Sequence, residues 1–214
     1  MQDAQVNLFD QVAPMGWQAL PLPGADLSLW PRWLPVADAD ALMAQLQASI
    51  PWGVHRIRIY GREVDSPRLS CWIGDAEATY VYSRTRFEPH PWTSALSDLR
   101  EQVSKACGAR FNSVLANLYR NGQDSMGWHS DDEPELGERP VIASLSLGAV
   151  RRFRLKPRHD GTARDTQMIE LGHGSLLRMA GDTQRLYVHD LPKTSAGVGP
   201  RINLTFRWIE PRKR

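Results

Sequence analysis

A chain of 214 residues, 42% hydrophobic and 23% charged, suits one domain with a full core and excludes a disordered chain. The net charge of +2 permits nucleic-acid binding without requiring it. Residues 1–35, rich in Pro, Gly and Trp with weak periodicity, read as an irregular arm. Residues 38–50 predict a helix with Asp38 as its cap and Leu42, Met43, Leu46 and Ile50 on one face. Residues 54–60 (VHRIRIY) alternate and predict a strand, with Gly61 opening a turn, and further short strand signals run through 66–86. A second helix is expected over 92–107, where Leu96, Leu99, Val103 and Cys107 share a face and Gly108 follows. Beyond Gly108, strand-like runs appear at 112–120, 141–147, 151–156, 166–171, 175–179, 185–189 and 201–208. Many short strands at this spacing predict a closed or double-sheet β architecture such as a jelly roll.

The longest largely apolar stretch, Val141 to Val150, is interrupted by two serines and is too short to span a bilayer. Residues 1–10 show no basic start followed by an apolar block. The two cysteines, Cys71 and Cys107, lie in different segments and support neither a disulfide framework nor a cysteine zinc site. The expectation is a cytoplasmic monomer with no membrane association.

The segment Gly127-Trp128-His129-Ser130-Asp131 places an imidazole and a carboxylate two residues apart. In extended backbone both point to the same side and can reach one ion. A second histidine from a distant strand completes two histidines and one carboxylate, the open donor set of non-haem iron oxygenases. A surface loop is the bland alternative, since His-x-Asp alone is a weak signal. Candidates for the second histidine are His159 in a polar loop, His173 between two glycines, and His189 at the end of the run RLYVH. His189 is preferred.

In the last strand, Ile202, Leu204, Phe206 and Trp208 point one way and Arg201, Asn203, Thr205 and Arg207 the other. The polar face is either solvated or a cradle. Arg201 and Arg207 have Cα atoms roughly 20 Å apart, and their long side chains can lean inward to hold the two ends of a small dicarboxylate. Asn117 and Tyr119 share a face of another strand and can donate to carboxylate oxygens.

Taken together, the segments Asn112–Tyr119, Gly127–Glu135, Ile142–Gly148, His173–Leu177 and Pro200–Arg207 resemble the AlkB family of alkylation-repair dioxygenases, in the branch that includes the animal nuclear DNA-repair homologues. The resemblance implies a mainly β (α+β) fold: a double-stranded β-helix, or jelly roll, with N-terminal helices and a nucleotide-recognition lid. It implies one catalytic domain over 1–214, with the arm, helices and lid in 1–110 and the β-helix core in 111–209. His129, Asp131 and His189 match the Fe(II) ligands. Arg201 and Arg207 match the arginines that bind 2-oxoglutarate, supported by Asn117, Tyr119, Asn203 and Thr205. The implied reaction uses Fe(II), 2-oxoglutarate and O2 to hydroxylate the N-alkyl carbon of a damaged base such as 1-methyladenine or 3-methylcytosine. Succinate and formaldehyde are released and the base is restored.

A methyl group on a Watson–Crick edge is hidden in a duplex, so the base must leave the stack. The resemblance places Tyr80, Tyr82, Ser83 and Glu133 around the flipped base and Tyr60 at the tip of a finger hairpin. Arg56, Arg58, Arg62, Arg68 and Arg84 surround that hairpin. The loop after His189 (DLPKTSAGVG) keeps only Lys193 where a duplex-preferring relative is strongly basic, which weakens the case for a duplex preference. Single-stranded DNA, duplex DNA and RNA all remain open as partners, as do methyl and etheno lesions.

Overall fold

The computed structural model of the chain describes residues 16–59, 62–82, 85–159 and 165–210. In chain order the elements are β1 (Gln18–Ala19), β2 (Ala25–Trp30), α1 (Val36–Ser49), β3 (Gly53–Ile59), β4 (Arg62–Gly74), β5 (Tyr80–Tyr82), β6 (Thr85–Phe87), α2 (Ser94–Cys107) and β7 (Ser113–Tyr119). There follow β8 (Met126–His129), a 3-10 turn at Pro134–Leu136, β9 (Ile142–Gly148), β10 (Arg151–Pro157), β11 (Gln167–Leu171), β12 (Ser175–Gly181), the single turn α3 (Thr183–Leu186), β13 (Tyr187–Leu191) and β14 (Arg201–Arg207). One sheet has eight strands in the order β1-β2-β12-β9-β14-β7-β4-β3, and a second has four in the order β11-β10-β13-β8. Strands β5 and β6 form a separate ribbon. This is the expected double-sheet jelly roll.

The period-2 pattern of each central strand sorts its side chains into two cores. From β9 and β14, Ala143, Leu145, Leu147, Ile202, Leu204 and Phe206 face outward and pack beneath the helices, against Ala39 and Leu46 of α1 and Leu96, Leu99 and Val103 of α2. On the inner face, Ile142, Leu177 and Met179 meet Phe153, Leu155 and Tyr187 of the smaller sheet. Burial of each such side chain stabilises the fold by about 1.5–3 kcal/mol. Elsewhere the inner face is polar, and the two sheets stand apart around a cavity.

Helix α2 starts at Ser94, two residues later than expected, and ends at Cys107 as expected. Thr93 Oγ1 accepts from the Leu96 amide at 3.3 Å, and Gly108 ends the helix in the left-handed region at φ 63°. Helix α1 departs from expectation. It begins at Val36 after Pro35 with no side-chain cap, so Asp38 lies in the first turn, where its charge complements the helix dipole. The boundary drawn at residue 110 marks no break in the sheet, since β2 pairs with β12 and β4 with β7. Strand β4 is a single 13-residue strand serving both β3 and β7, where the sequence reads as short pieces. The last run before His189 divides into α3 and β13. Cys71 and Cys107 are free and buried, and burial pushes their thiols up to about 11 and about 12. Among the described residues no helix is long and apolar enough to cross a membrane.

Candidate metal centre

Antiparallel pairing of β13 with β8 sets His189 directly opposite His129. Their rings lie 4.2 Å apart, and the ligand atoms of His129, Asp131 and His189 all fall within 4.8 Å of one another. His129 Nδ1 lies 2.8 Å from the Gly127 carbonyl, which can only accept, so the proton sits on Nδ1 and Nε2 is left for a metal. Burial holds both imidazoles below their ordinary pKa, His189 down to about 3, so both are neutral and ready to ligate. Burial alone would raise the Asp131 carboxyl. The Arg207 guanidinium, whose Nη2 donates to Asp131 Oδ1 at 2.8 Å, acts with His189 and His129 to outweigh it and keep the group ionised. Asp131 does not share a strand with His129. Strand β8 ends at His129, and Asp131 lies beyond it in non-ladder backbone. Its amide N–H is bound instead by Gln184 Oε1 at 3.0 Å.

The opposite wall is built by rows of residues across the large sheet. Ser70, Asn117, Asn203 and Ser146 form one row, and Trp72, Leu115, Thr205 and Ser144 the next. Tyr119 pairs with Arg201 at the far end. All seven residues of β14 are buried, so its polar face lines the cavity and is not solvated. Arg201 is 2% exposed; its Nη2 donates to Ser146 Oγ at 3.0 Å and its carbon lies 5.2 Å over the Tyr119 ring. Burial lowers its pKa only to about 10, so it stays charged near neutral pH. Its Nε is buried with no hydrogen-bond partner among the described residues. A buried cation with an unused donor needs an anion, and a dicarboxylate that reached the metal from there would supply one. Two imidazoles, one carboxylate and a cavity open beside them suit Fe(II).

A model of the 2OG-Fe(II) oxygenase superfamily matches residues 26–207. The chain is 42% identical over 197 residues to the human alpha-ketoglutarate-dependent dioxygenase alkB homolog 3, covering 87% of this chain and 67% of the human protein. It is 37% identical over 210 residues to the Arabidopsis thaliana DNA oxidative demethylase ALKBH2, covering 87% of this chain and 67% of that one. The chain belongs to the AlkB family of 2OG-Fe(II) oxygenases. The solved structure of OsALKBH1 shares this AlkB fold, with a TM-score of 0.66 at 17% identity over 90% of this chain and 99% of that one.

Within this AlkB cavity the remaining expectations divide. Arg68 is buried; its Nε donates to Asn117 Oδ1 at 2.7 Å and its Nη1 to Ser66 Oγ at 3.0 Å, and it lines the cavity together with Glu133. Asn203 donates to Ser144 Oγ at 2.7 Å and accepts from Thr205 Oγ1 at 2.9 Å, so the two polar residues brace each other across the floor. Tyr80 and Tyr82 lie on the backbone of the β5–β6 ribbon, with side chains outside the described residues, as are the side chains of Arg56, Arg58 and Arg62. Tyr60, Ser83 and Arg84 lie outside the described residues altogether. His173 is a turn residue: its Nδ1 accepts from the Gly148 amide at 2.7 Å, and Asp40 stands 3.2 Å from its Nε2. His159 is exposed. Sequence reasoning did not single out Ser144, Ser146 or Gln184 for the site. The serines gave a signal nonetheless, as alternating polar positions in an apolar run.

Proposed function

We propose that this chain oxidatively dealkylates N-alkylated bases of the 1-methyladenine and 3-methylcytosine type in DNA, releasing formaldehyde and succinate. One observation carries the reading. The candidate iron ligands and the 2-oxoglutarate arginines open on a cavity that also holds Arg68 and Glu133, polar groups outside the sets assigned to the metal and the cosubstrate. The Arabidopsis relative named as a DNA oxidative demethylase supports DNA as the polymer.

His129, Asp131 and His189 would hold the iron, Arg201 the distal carboxylate of 2-oxoglutarate, and Arg207 the end nearer the metal, where it already binds Asp131. When bound, iron(II) and 2-oxoglutarate supply the activation of O2 that places a hydroxyl on the N-alkyl carbon. That carbon then carries both oxygen and nitrogen; its C–N bond breaks with the electron pair going to the ring nitrogen, and the hydroxyl gives up its proton as the aldehyde leaves. The chain's own contribution is to orient and to exclude water. Arg68 and Glu133 read the polar edge of the extruded base, and Phe153, Met126 and Leu191 supply apolar wall. Alkylation at a pairing edge abolishes the base pair and lowers the cost of extrusion. Tyr80 and Tyr82 of the β5–β6 ribbon, together with Tyr60 and Ser83, which lie outside the described residues, complete the base-reading set in this proposal.

The test is mass spectrometry of a 1-methyladenine oligonucleotide incubated with protein, Fe(II), ascorbate and 2-oxoglutarate, run in parallel as single-stranded DNA, duplex DNA and RNA. Loss of the methyl group from DNA with matching succinate is expected. Demethylation confined to RNA would move the activity to RNA bases, and succinate without any demethylation would leave an oxygenase of another substrate.

A further inference from the structure

Asp131 sits past the end of β8, and residues 130–133 have no ladder partner. Loop backbone of this kind does not by itself fix a carboxylate. In this structure the Asp131 amide is held by Gln184, a residue 3% exposed in the single turn α3. Among the described residues the other end of the Gln184 amide reaches only the Met179 thioether, at 3.5 Å. A buried amide is costly unless its polar atoms are used. Here the well-made bond is the one to Asp131. The turn that carries Gln184 is itself anchored: Thr183 Oγ1 accepts from the Asp26 amide at 3.0 Å and donates to the Ala180 carbonyl at 2.6 Å, and the Leu186 amide returns to the Asp182 carbonyl. Strand β13 begins directly after this turn and bears His189.

We propose that Gln184 is a positioning residue of the iron centre. It ties the backbone of one ligand, Asp131, to the short rigid segment that carries another, His189, and so sets the spacing of the two before any metal arrives. Arg207 orients the Asp131 carboxylate and Gln184 its main chain, and together they leave the residue little freedom. The inference rests on the reading of His129, Asp131 and His189 as metal ligands.

The test compares Gln184→Met, of similar length but with no comparable acceptor, with Gln184→Glu, which keeps an acceptor oxygen at the same reach. Mn(II) is titrated into chelator-treated protein in the presence of 2-oxoglutarate, and free Mn(II) is read by electron paramagnetic resonance. Loss of a group that orients a ligand typically weakens metal binding roughly 10- to 100-fold. Gln184→Met is expected to fall in that range and Gln184→Glu to recover most of the affinity. Wild-type affinity in folded Gln184→Met overturns the proposal, as does equal weakening in both variants, which would point to shape and not to the acceptor. A purely structural role would lower the urea midpoint of the metal-free protein and leave the Mn(II) affinity of its folded fraction unchanged. If Gln184→Met does not fold, amide exchange in the wild-type metal-free protein decides. An Asp131 amide protected like those of β13 supports the bond, and one exchanging like an open loop refutes it. Failure of the wild type to bind Mn(II) would instead overturn the ligand assignment itself, while amide exchange would still report on the Gln184 contact.

Discussion

Replacing Arg201 with lysine tests how the cavity holds its cosubstrate. The guanidinium is buried, uses Nη2 on Ser146, and has an Nε with no partner among the described residues. Its fork can therefore offer a carboxylate two parallel bonds, where an ammonium offers one point of charge. A hydrogen bond to a charged group contributes about 1.5–3 kcal/mol. Losing one of two weakens 2-oxoglutarate roughly 10- to 150-fold, at about 1.4 kcal/mol per decade. Burial adds a second effect. It draws even the arginine down to about 10, and a lysine there starts lower and moves towards its neutral form. Isothermal titration of 2-oxoglutarate into Mn(II)-loaded protein without oxygen measures the loss directly. The expected result is a weaker Kd in Arg201→Lys that worsens as the pH rises from about 6.5 to about 8.5, against a flat wild-type profile. An unchanged Kd in the folded variant would show that Arg201 does not engage the dicarboxylate, and the cradle reading of β14 would fall.

His129→Ala, Asp131→Ala and His189→Ala are each expected to abolish turnover and Mn(II) binding while leaving the circular dichroism spectrum near that of wild type, because three ligands leave no redundancy; full activity in any of the three would remove that residue from the centre. The metal-free protein is expected to lose stability on acidification. His129 and His189 have folded pKa values below the ordinary 6.5, so the unfolded chain binds the extra protons, and the stability they contribute is full above 6.5 and falls as the pH drops below it. Asp131, also lowered, adds a further loss below 3.8. The slope approaches roughly 1.4 kcal/mol per pH unit for each histidine, and urea midpoints of chelator-treated wild type and His189→Leu should diverge in steepness; parallel curves would contradict the burial argument. Gly148→Ala should destabilise the fold by about 1–3 kcal/mol, since Gly148 has φ +85° and an added Cβ would sit 2.4 Å from the Pro200 carbonyl oxygen; an unchanged melting temperature would count against that geometry.

What the sequence made legible, it made legible through periodicity. The two faces of RINLTFRW separate by their alternation, and helix α2 announced its end through Gly108, while its start at Ser94, behind the Thr93 cap, lies two residues beyond the expected 92. Alternation cannot say what lies opposite a polar face, however, and β14 is buried on both sides because its polar face lines an internal cavity. The choice of His189 over His173 depended on a non-local pairing, β13 against β8, which local pattern does not encode. The spacing of His129 and Asp131 led to the right grouping, although the strand ends at His129 and Asp131 lies beyond it. Gln184 left no local trace at all. A glutamine in a polar stretch looks solvated until the turn that buries it is seen.

The placement of β14 explains why one strand can carry so much of the site. It lies between β9 and β7 in the eight-stranded sheet, paired on both sides along its length, with helices behind it and the cavity before it. A central strand fixed on two edges and two faces is the least deformable part of such a fold. Arg201 at its start meets Ser146 and Tyr119, and Arg207 at its end meets Asp131. The strand thus acts as a ruler between the far end of the cosubstrate cradle and the metal. By contrast, Tyr80 and Tyr82 sit on a two-stranded ribbon separate from both sheets, and isolated ribbons are only marginally ordered on their own. In the proposed reading the chemistry rests on the rigid interior, where Arg68 and Glu133 also lie, while the ribbon tyrosines add to base recognition from outside both sheets, so changes in the ribbon would leave the candidate iron and 2-oxoglutarate residues undisturbed.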